Sequence, residues 1–261
     1  MNRIERKFRE LKRQKKKAFI VFITAGYPNL STTRKLLLEF ARIGVDIVEL
    51  GVPFSDPMAD GPVIQQASEV ALKNKVNLRK ILKLVKEARK VTQLPVCLMS
   101  YYNPIYCFPQ DKFVRAAQDA GVDGVIVPDL PPEEAKGLLK TAQQSGLDII
   151  FFLAPTSTRE RIKLISKKTK GFIYYVSLTG VTGPRQKLPV DIAKNLAAIK
   201  RITKKPVCVG FGVSSRAQVK QITRVADGVI VGSAIIKKIR ENRKRADLVS
   251  RVSNFVLKLK A

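Results

Sequence analysis

Along most of its length the chain alternates short, continuously apolar runs with longer segments in which apolar residues return every three or four positions. Eight runs read as strands: AFIVFIT (18–24), VDIVELGV (45–52), PVCLMSY (95–101), GVIVPD (124–129), DIIFFLA (148–154), FIYYVSL (172–178), PVCVGFG (206–212) and GVIVGS (228–233). They are apolar throughout, as parallel strands covered on both faces are. Between them, segments such as LLLEFARI, LRKILKLVKEARK, KGLLKTAQQS and RIKLISKK carry helical spacing. Several end in Gly-Val-Asp or Lys-Pro-Val, a turn followed by a new strand. Ahead of the first strand, Ile4, Phe8 and Leu11 make one apolar stripe on a charged helix.

Eight strand–helix units predict an α/β fold, a single (β/α)8 TIM barrel with an extra N-terminal helix capping the N-terminal end of the barrel. An open doubly wound sheet is the alternative, but no GxGxxG follows the first strand. The 261 residues suit one such barrel, which takes about 250. No linker or low-complexity stretch interrupts them, so residues 1–261 are expected to form one domain.

Composition narrows the chemistry. There is no histidine, which excludes His-based triads and most zinc sites, and no metal is expected. Cys97, Cys107 and Cys208 form no CxxC pair and read as reduced thiols. No run approaches the ~18 apolar residues of a membrane span, and the charged N-terminus, with Glu5 and Glu10, resembles neither a secretory signal nor a transit peptide. An intracellular chain, without membrane attachment, is expected. The net charge of +28 raises the question of nucleic acid. The basic residues are spread over most of the chain, with local excess near both ends, and no nucleic-acid motif accompanies them. They read as a solvated basic face, with no nucleic-acid partner.

In a barrel of this kind the active site lies at the C-terminal ends of the strands. The second strand breaks its apolar run with Glu49, and Asp56 and Asp60 follow in a segment stiffened by Pro53, Pro57 and Pro62. A charged, unpaired carboxylate on a buried strand costs several kcal/mol. A buried Arg or Lys would relieve it, but no neighbouring strand offers one. Glu49 is therefore a proton-transfer candidate whose pKa burial raises toward neutrality. Asp60 alone would read as a turn residue before Gly61; beside Glu49 it becomes a second catalytic candidate. The last strands end in GFGVSS and VGSA. There Gly212 and Gly232 admit a ligand close to the backbone, and Ser214, Ser215 and Ser233 stand where helices begin, with amides and hydroxyls facing an anion. Turn glycines and helix caps are the plainer reading of the same residues.

The run VELGVPFSDPMADGPVIQQA resembles the signature of the tryptophan synthase α chain family. The resemblance continues through FITAGYP, YYNP, VPDLPPEE, YYVSLTGVTG, VGFGVSS and VGSAI, in order, over essentially the whole chain. It implies a lyase that cleaves indole-3-glycerol phosphate to indole and glyceraldehyde 3-phosphate, a retro-aldol step of tryptophan biosynthesis. By the resemblance, Glu49 is the acid–base carboxylate, and Asp60 holds the indole N–H. Phe22 and Tyr174 line the indole pocket, although they read equally as core aromatics. Thr182 lies on a closing loop, and Gly183, Phe211, Gly212, Gly232 and Ser233 cradle the phosphate. It further implies no cofactor on this chain and an α2β2 heterotetramer with a β chain that carries pyridoxal phosphate. Pro53, Asp56 and the aromatic YYNPIYCFP loop are the expected contact surface, with packing over the barrel mouth as the alternative for the aromatics of that loop. The compartment would be the cytoplasm, or a plastid stroma if the chain is plastid-encoded. An independent indole-releasing lyase and a non-enzymatic anion-binding barrel are the rival readings.

Overall fold

The computed structural model describes residues 2–108, 110–176, 190–210 and 212–260. Nine strand segments make one sheet: β1 (Ala18–Thr24), β2 (Ile47–Gly51), β3 (Val96–Met99), β4 (Gly124–Ile126), β5 (Asp148–Ile150), β6 (Phe152–Leu153), β7 (Ile173–Val176), β8 (Val207–Gly210) and β9 (Gly228–Val231). Every neighbouring pair is parallel, in the order β5-β4-β3-β2-β1-β9-β8-β7-β6. The eight expected strands are all there. The ninth arises because DIIFFLA is interrupted at Phe151. Its first half pairs with β4 and its second with β7, and the Phe151 carbonyl accepts the Tyr174 amide at 3.1 Å. Both ends of the strand order are thus halves of one segment, and the ring closes through it.

The helices are α1 (Arg3–Arg13), α2 (Leu30–Arg42), α3 (Pro62–Lys73), α4 (Leu78–Arg89), α5 (Tyr102–Tyr106), α6 (Gln110–Ala120), α7 (Lys136–Ser145), α8 (Arg159–Lys168), α9 (Val190–Ile202), α10 (Arg216–Val225), α11 (Ser233–Asn242) and α12 (Leu248–Lys260). Asn29 and Asn77 cap α2 and α4 by accepting the Thr32 and Lys80 amides at 2.8 and 3.0 Å. The Gly-Val-Asp triplets have a specific job. Gly44 and Gly121 follow α2 and α6 with φ of +73° and +81°. The following Asp46 and Asp123 then accept the Phe19 and Val96 amides of neighbouring strands at 2.8 and 2.9 Å. Each triplet is a helix stop followed by a strand clamp. No helix among the described residues is long and apolar enough to cross a membrane.

Side chains on alternate strand positions point into the ring or out toward the helices. Outward residues such as Val21, Ile23, Val48 and Leu50 join the large core beneath the helices. Inward residues Ala18, Ile20, Ile47, Ile126, Ile150 and Phe172 form a separate core with Ile4, Phe8 and Leu11 of α1. The N-terminal helix is therefore a plug in the lower mouth of the barrel. Ile4 is fully buried, and a Cβ added at Gly124 would lie 2.9 Å from its Cδ1. Arg3 and Arg89 hold the plug from the side through the buried Asp123, at 3.0 and 2.7 Å. Asn2 caps α1 through the Glu5 amide and donates to the Asp123 carbonyl.

Ile4→Ala should remove the tip of this plug. We expect an unfolding free energy lower by about 2–5 kcal/mol, read as a lower urea midpoint at unchanged slope. An unaltered midpoint would show that α1 does not seal the barrel.

Candidate active site

Among the described residues the upper mouth carries no such plug. Here β2 brings Glu49 to the inward face, in register with Phe22 on β1 and Cys97 on β3. Glu49 is fully buried, and neither carboxyl oxygen has a hydrogen-bond partner among the described residues. Burial alone pushes its pKa from the ordinary 4.5 up to about 8. At neutral pH this carboxyl keeps its proton. The thiols of Cys97 and Cys208 and the Tyr174 hydroxyl are likewise pushed well up, first by burial and further by negative charge at nearby acidic groups, Glu49 among them.

Asp60 sits half-buried on the loop after β2. Its amide donates to the Pro57 carbonyl and its own carbonyl accepts Gln65 Nε2, at 3.0 and 2.9 Å. Burial raises its pKa to about 6, against a hydrogen bond from the Tyr101 hydroxyl that favours the ion. The sequence does not mark Tyr101 as a partner of Asp60. It ends the third strand run, and its hydroxyl also accepts the Ala59 amide at 2.8 Å. Its ring stacks on Phe54 with centroids 5.3 Å apart. One side chain thus ties the loop after β2 to the loop after β3. Its signal in the sequence is the YYNP motif at the strand end, whose aromatics read as a partner surface or as packing over the barrel mouth; Tyr101 does the second. Phe22, Thr24, Gly51, Met99 and Tyr101 wall a cleft with Asp60.

Phe22 is a core aromatic that also faces this space, and Tyr174 is an aromatic of the inner core. The Phe22 ring lies between two glycines on neighbouring strands: a Cβ on Gly51 would come within 2.6 Å of it, and one on Gly232 within 3.2 Å. Tyr174 packs on Phe152 with centroids 4.8 Å apart, and its hydroxyl occupies the space above Gly210.

The anion end differs in part from expectation. Gly212 adopts φ +66°, a left-handed turn. Gly232 is the N-cap of α11 and supplies no side-chain cap, and Ser233 starts the helix. The first intrahelical bonds run from Ile235 and Ile236 to the Gly232 carbonyl, so the Ser233 and Ala234 amides precede them. Helix α10 caps itself instead. Gln218 Oε1 accepts the Ser214 and Ser215 amides at 2.8 and 3.1 Å, while Ser215 Oγ accepts the Gln218 amide. The reading of free groups at Ser214 and Ser215 is corrected by this capping box, which depends on a glutamine three residues downstream. Thr182, Gly183 and Phe211 lie outside the described residues.

On the rim, Asp56 is exposed while Pro53 is buried beneath it. Met58 is 92% exposed. In the YYNPIYCFP loop, expected to display several aromatics, Tyr106 is 65% exposed, but Tyr101 is buried and Tyr102 and Phe108 are partly covered. Phe108 turns inward against Phe113 and beneath Arg79.

The sequence profile of the tryptophan synthase alpha chain matches residues 8–261. The chain belongs to that family. The tryptophan synthase alpha chain of Geotalea daltonii is 49% identical over 261 residues, covering all of this chain and 98% of that relative. The crystal structure of tryptophan synthase subunit alpha from Legionella pneumophila superposes with a TM-score of 0.93 at 38% identity, over 100% of this chain and 97% of that one. A chain of the tryptophan synthase a2b2 complex from Pyrococcus furiosus does so at 0.87 and 40% identity, over 93% and 97%. The tryptophan synthase alpha fold is thus shared along the whole barrel, with Glu49 and Asp60 on the strand and loop described above.

The isolated Glu49 has a thermodynamic signature. Its pKa is higher folded than unfolded, so the stability it contributes is fully present below about 4.5 and is lost as pH rises through about 8. Across that window the loss is up to about 1.4 kcal/mol per pH unit. Glu49→Gln cannot ionise. Its urea midpoint should match wild type near about pH 5 and exceed it near about pH 8.5. A constant gap at both pH values would mean that Glu49 is solvated in the folded chain.

Proposed function

We propose that Glu49 and Asp60 carry the alpha-chain reaction, with the substrate stretched from them to the first amides of α11. The reaction is the lyase step of tryptophan biosynthesis, cleavage of indole-3-glycerol phosphate to indole and glyceraldehyde 3-phosphate. The observation that carries the assignment is a pair of carboxyls whose surroundings push them apart, Glu49 to about 8 and Asp60 to about 6. At neutral pH one is an acid and the other an anion, which is how two carboxylates divide roles.

The division suits the bond to be broken. Protonated Glu49 delivers its proton to indole C3, leaving the ring short of electrons. Ionised Asp60 accepts the indole N–H and stabilises that positive charge. The Glu49 carboxylate then takes the proton of the hydroxyl on the adjoining carbon. As its oxygen forms a carbonyl, the electrons of the carbon–carbon bond return to the ring. Indole and the aldehyde separate, and Glu49 holds a proton again. Phe22 and Tyr174 give the ring apolar walls. Gly212, Gly232 and Ser233 receive the phosphate, where backbone amides and the N-terminal dipole of α11 favour negative charge. Thr182, Gly183 and Phe211 complete our assignment as the closing loop and the rest of the cradle.

The alpha chain has no cofactor of its own; pyridoxal phosphate belongs to the beta chain, its partner in the α2β2 tetramer. We infer that the beta chain docks on the rim formed by Asp56, Met58 and Tyr106, with Pro53 stiffening the loop from beneath. We also infer that residues 1–261 act as one domain and that the chain works in the cytoplasm. Its three cysteines are free, as a reducing compartment allows, and its bacterial relatives lend the plastid alternative no support.

The decisive assay is indole release by the purified chain with and without a beta chain. Wild type should be accelerated by the partner. Glu49→Gln and Asp60→Asn should each lose at least about 100-fold in kcat. The kcat/KM profile should rise through about 6 as Asp60 ionises and fall through about 8 as Glu49 loses its proton. A flat alkaline side would remove Glu49 from the acid role. Full activity indifferent to the beta chain would instead indicate a free-standing indole-releasing lyase.

Gly232→Asp tests the other end. An Asp at this N-cap would satisfy the open amides itself and repel the phosphate. KM should rise about tenfold or more with kcat little altered. An unchanged KM would move the phosphate elsewhere.

A further inference from the structure

Thr24 ends β1 two residues beyond Phe22, opposite Gly51 in the strand register. It is 1% exposed, and its Oγ1 is buried without a hydrogen-bond partner among the described residues. A buried hydroxyl in that state is unfavourable, and most are paired. It walls the same cleft as Phe22, Asp60 and Tyr101. The other unpaired buried oxygens at this mouth are those of Glu49; Asp148, at the head of β5, and Thr169, just past α8, have theirs near the opposite, plugged end. Thr24 forms no part of the roles assigned above.

We infer that Thr24 Oγ1 is a substrate-contact group, and that it binds the glycerol-chain hydroxyl that does not react. The inference rests on the substrate placement proposed above. Strand β1 lies between β2, which carries Glu49, and β9, which leads to the α11 amides. A substrate joining those two ends crosses the top of β1. Its indole end and reacting hydroxyl belong to Glu49 and Asp60, and its phosphate to Gly232 and Ser233. The middle carbon, with its hydroxyl, is left over β1, where Thr24 supplies a group that both donates and accepts. Among the described residues the hydroxyl has no partner, and the substrate supplies one. This makes Thr24 a reader of the glycerol chain, separate from the groups that move protons.

Three variants and two probes test this. Thr24→Val keeps the shape and removes the oxygen; Thr24→Ser keeps the oxygen. Cleavage of indole-3-glycerol phosphate is compared with calorimetric binding of indole-3-propyl phosphate, which has the same ring and phosphate but neither chain hydroxyl. Thr24→Val should lose about ten- to a hundredfold in kcat/KM, since it leaves a substrate hydroxyl unpaired. It should bind the hydroxyl-free analogue within about twofold of wild type. Thr24→Ser should keep most of the kcat/KM. The urea midpoint of free Thr24→Val should not fall and should rise, because an unpaired buried hydroxyl has been removed. A purely structural Thr24 would lower the midpoint instead. Equal losses on both probes, or no loss of kcat/KM, would overturn the inference. Failure of wild type itself to bind the analogue, or its loss of that binding in Thr24→Val and Gly232→Asp alike, is read separately. The first outcome overturns the substrate placement; the second makes Thr24 a wall of the cavity.

Discussion

A closed ring of parallel strands has an inside, and every second side chain must be accommodated there. That constraint organises this molecule. The lower part of the inside is filled by apolar residues and sealed by α1, so it is dry. Glu49 is in the layers above, where strand register gives it Phe22 and Cys97 for neighbours and no cation. Nothing is required of Glu49 itself to become a weak acid. The closure of the ring does it, by removing water from an oxygen pair that has no substitute donor. The same closure lets Asp60, on a loop at the rim, keep a smaller shift, because it retains some solvent and a phenol donor.

Much of this is legible before any coordinates. The eight apolar runs locate every strand, because a strand covered on both faces has nowhere to hide a polar residue. Glu49 stands out for the same reason. The misses have physical causes. The break at Phe151 leaves no mark in an unbroken apolar run. Helix α5 forms around a proline that reads as a loop signal. The self-capping of α10 depends on Gln218, which no pattern of apolar positions contains. Tyr101 could not be assigned to Asp60 because the hydrogen bond joins residues 41 positions apart on two different loops, and only the ring of strands brings those loops together.

The Asp60–Tyr101–Phe54 connection also places a carboxyl that we assign to catalysis and exposed groups on one short path. Ala59, whose amide the Tyr101 hydroxyl receives, follows the almost wholly exposed Met58. The rim that we assign to the beta chain therefore includes the residues that orient one of the two carboxyls. In such an arrangement docking and proton affinity are linked without any long-range relay, since they share backbone.

Phe22 shows a different kind of linkage. Its ring fits only because Gly51 on β2 has no side chain: a Cβ there would stand 2.6 Å away, whereas one at Gly232, the N-cap of α11, would stand at 3.2 Å and ask only a small shift of the ring. Phe22 and Gly51 lie far apart in the chain but behave as one unit of heredity. A larger residue at Gly51 is admissible only alongside a smaller one at 22, and a smaller residue at 22 opens a void that position 51 could fill. Variation among descendants of this sequence should cross that pair by paired exchanges, with single changes filtered out, so the wall that we assign to indole can be resized only in coordinated steps.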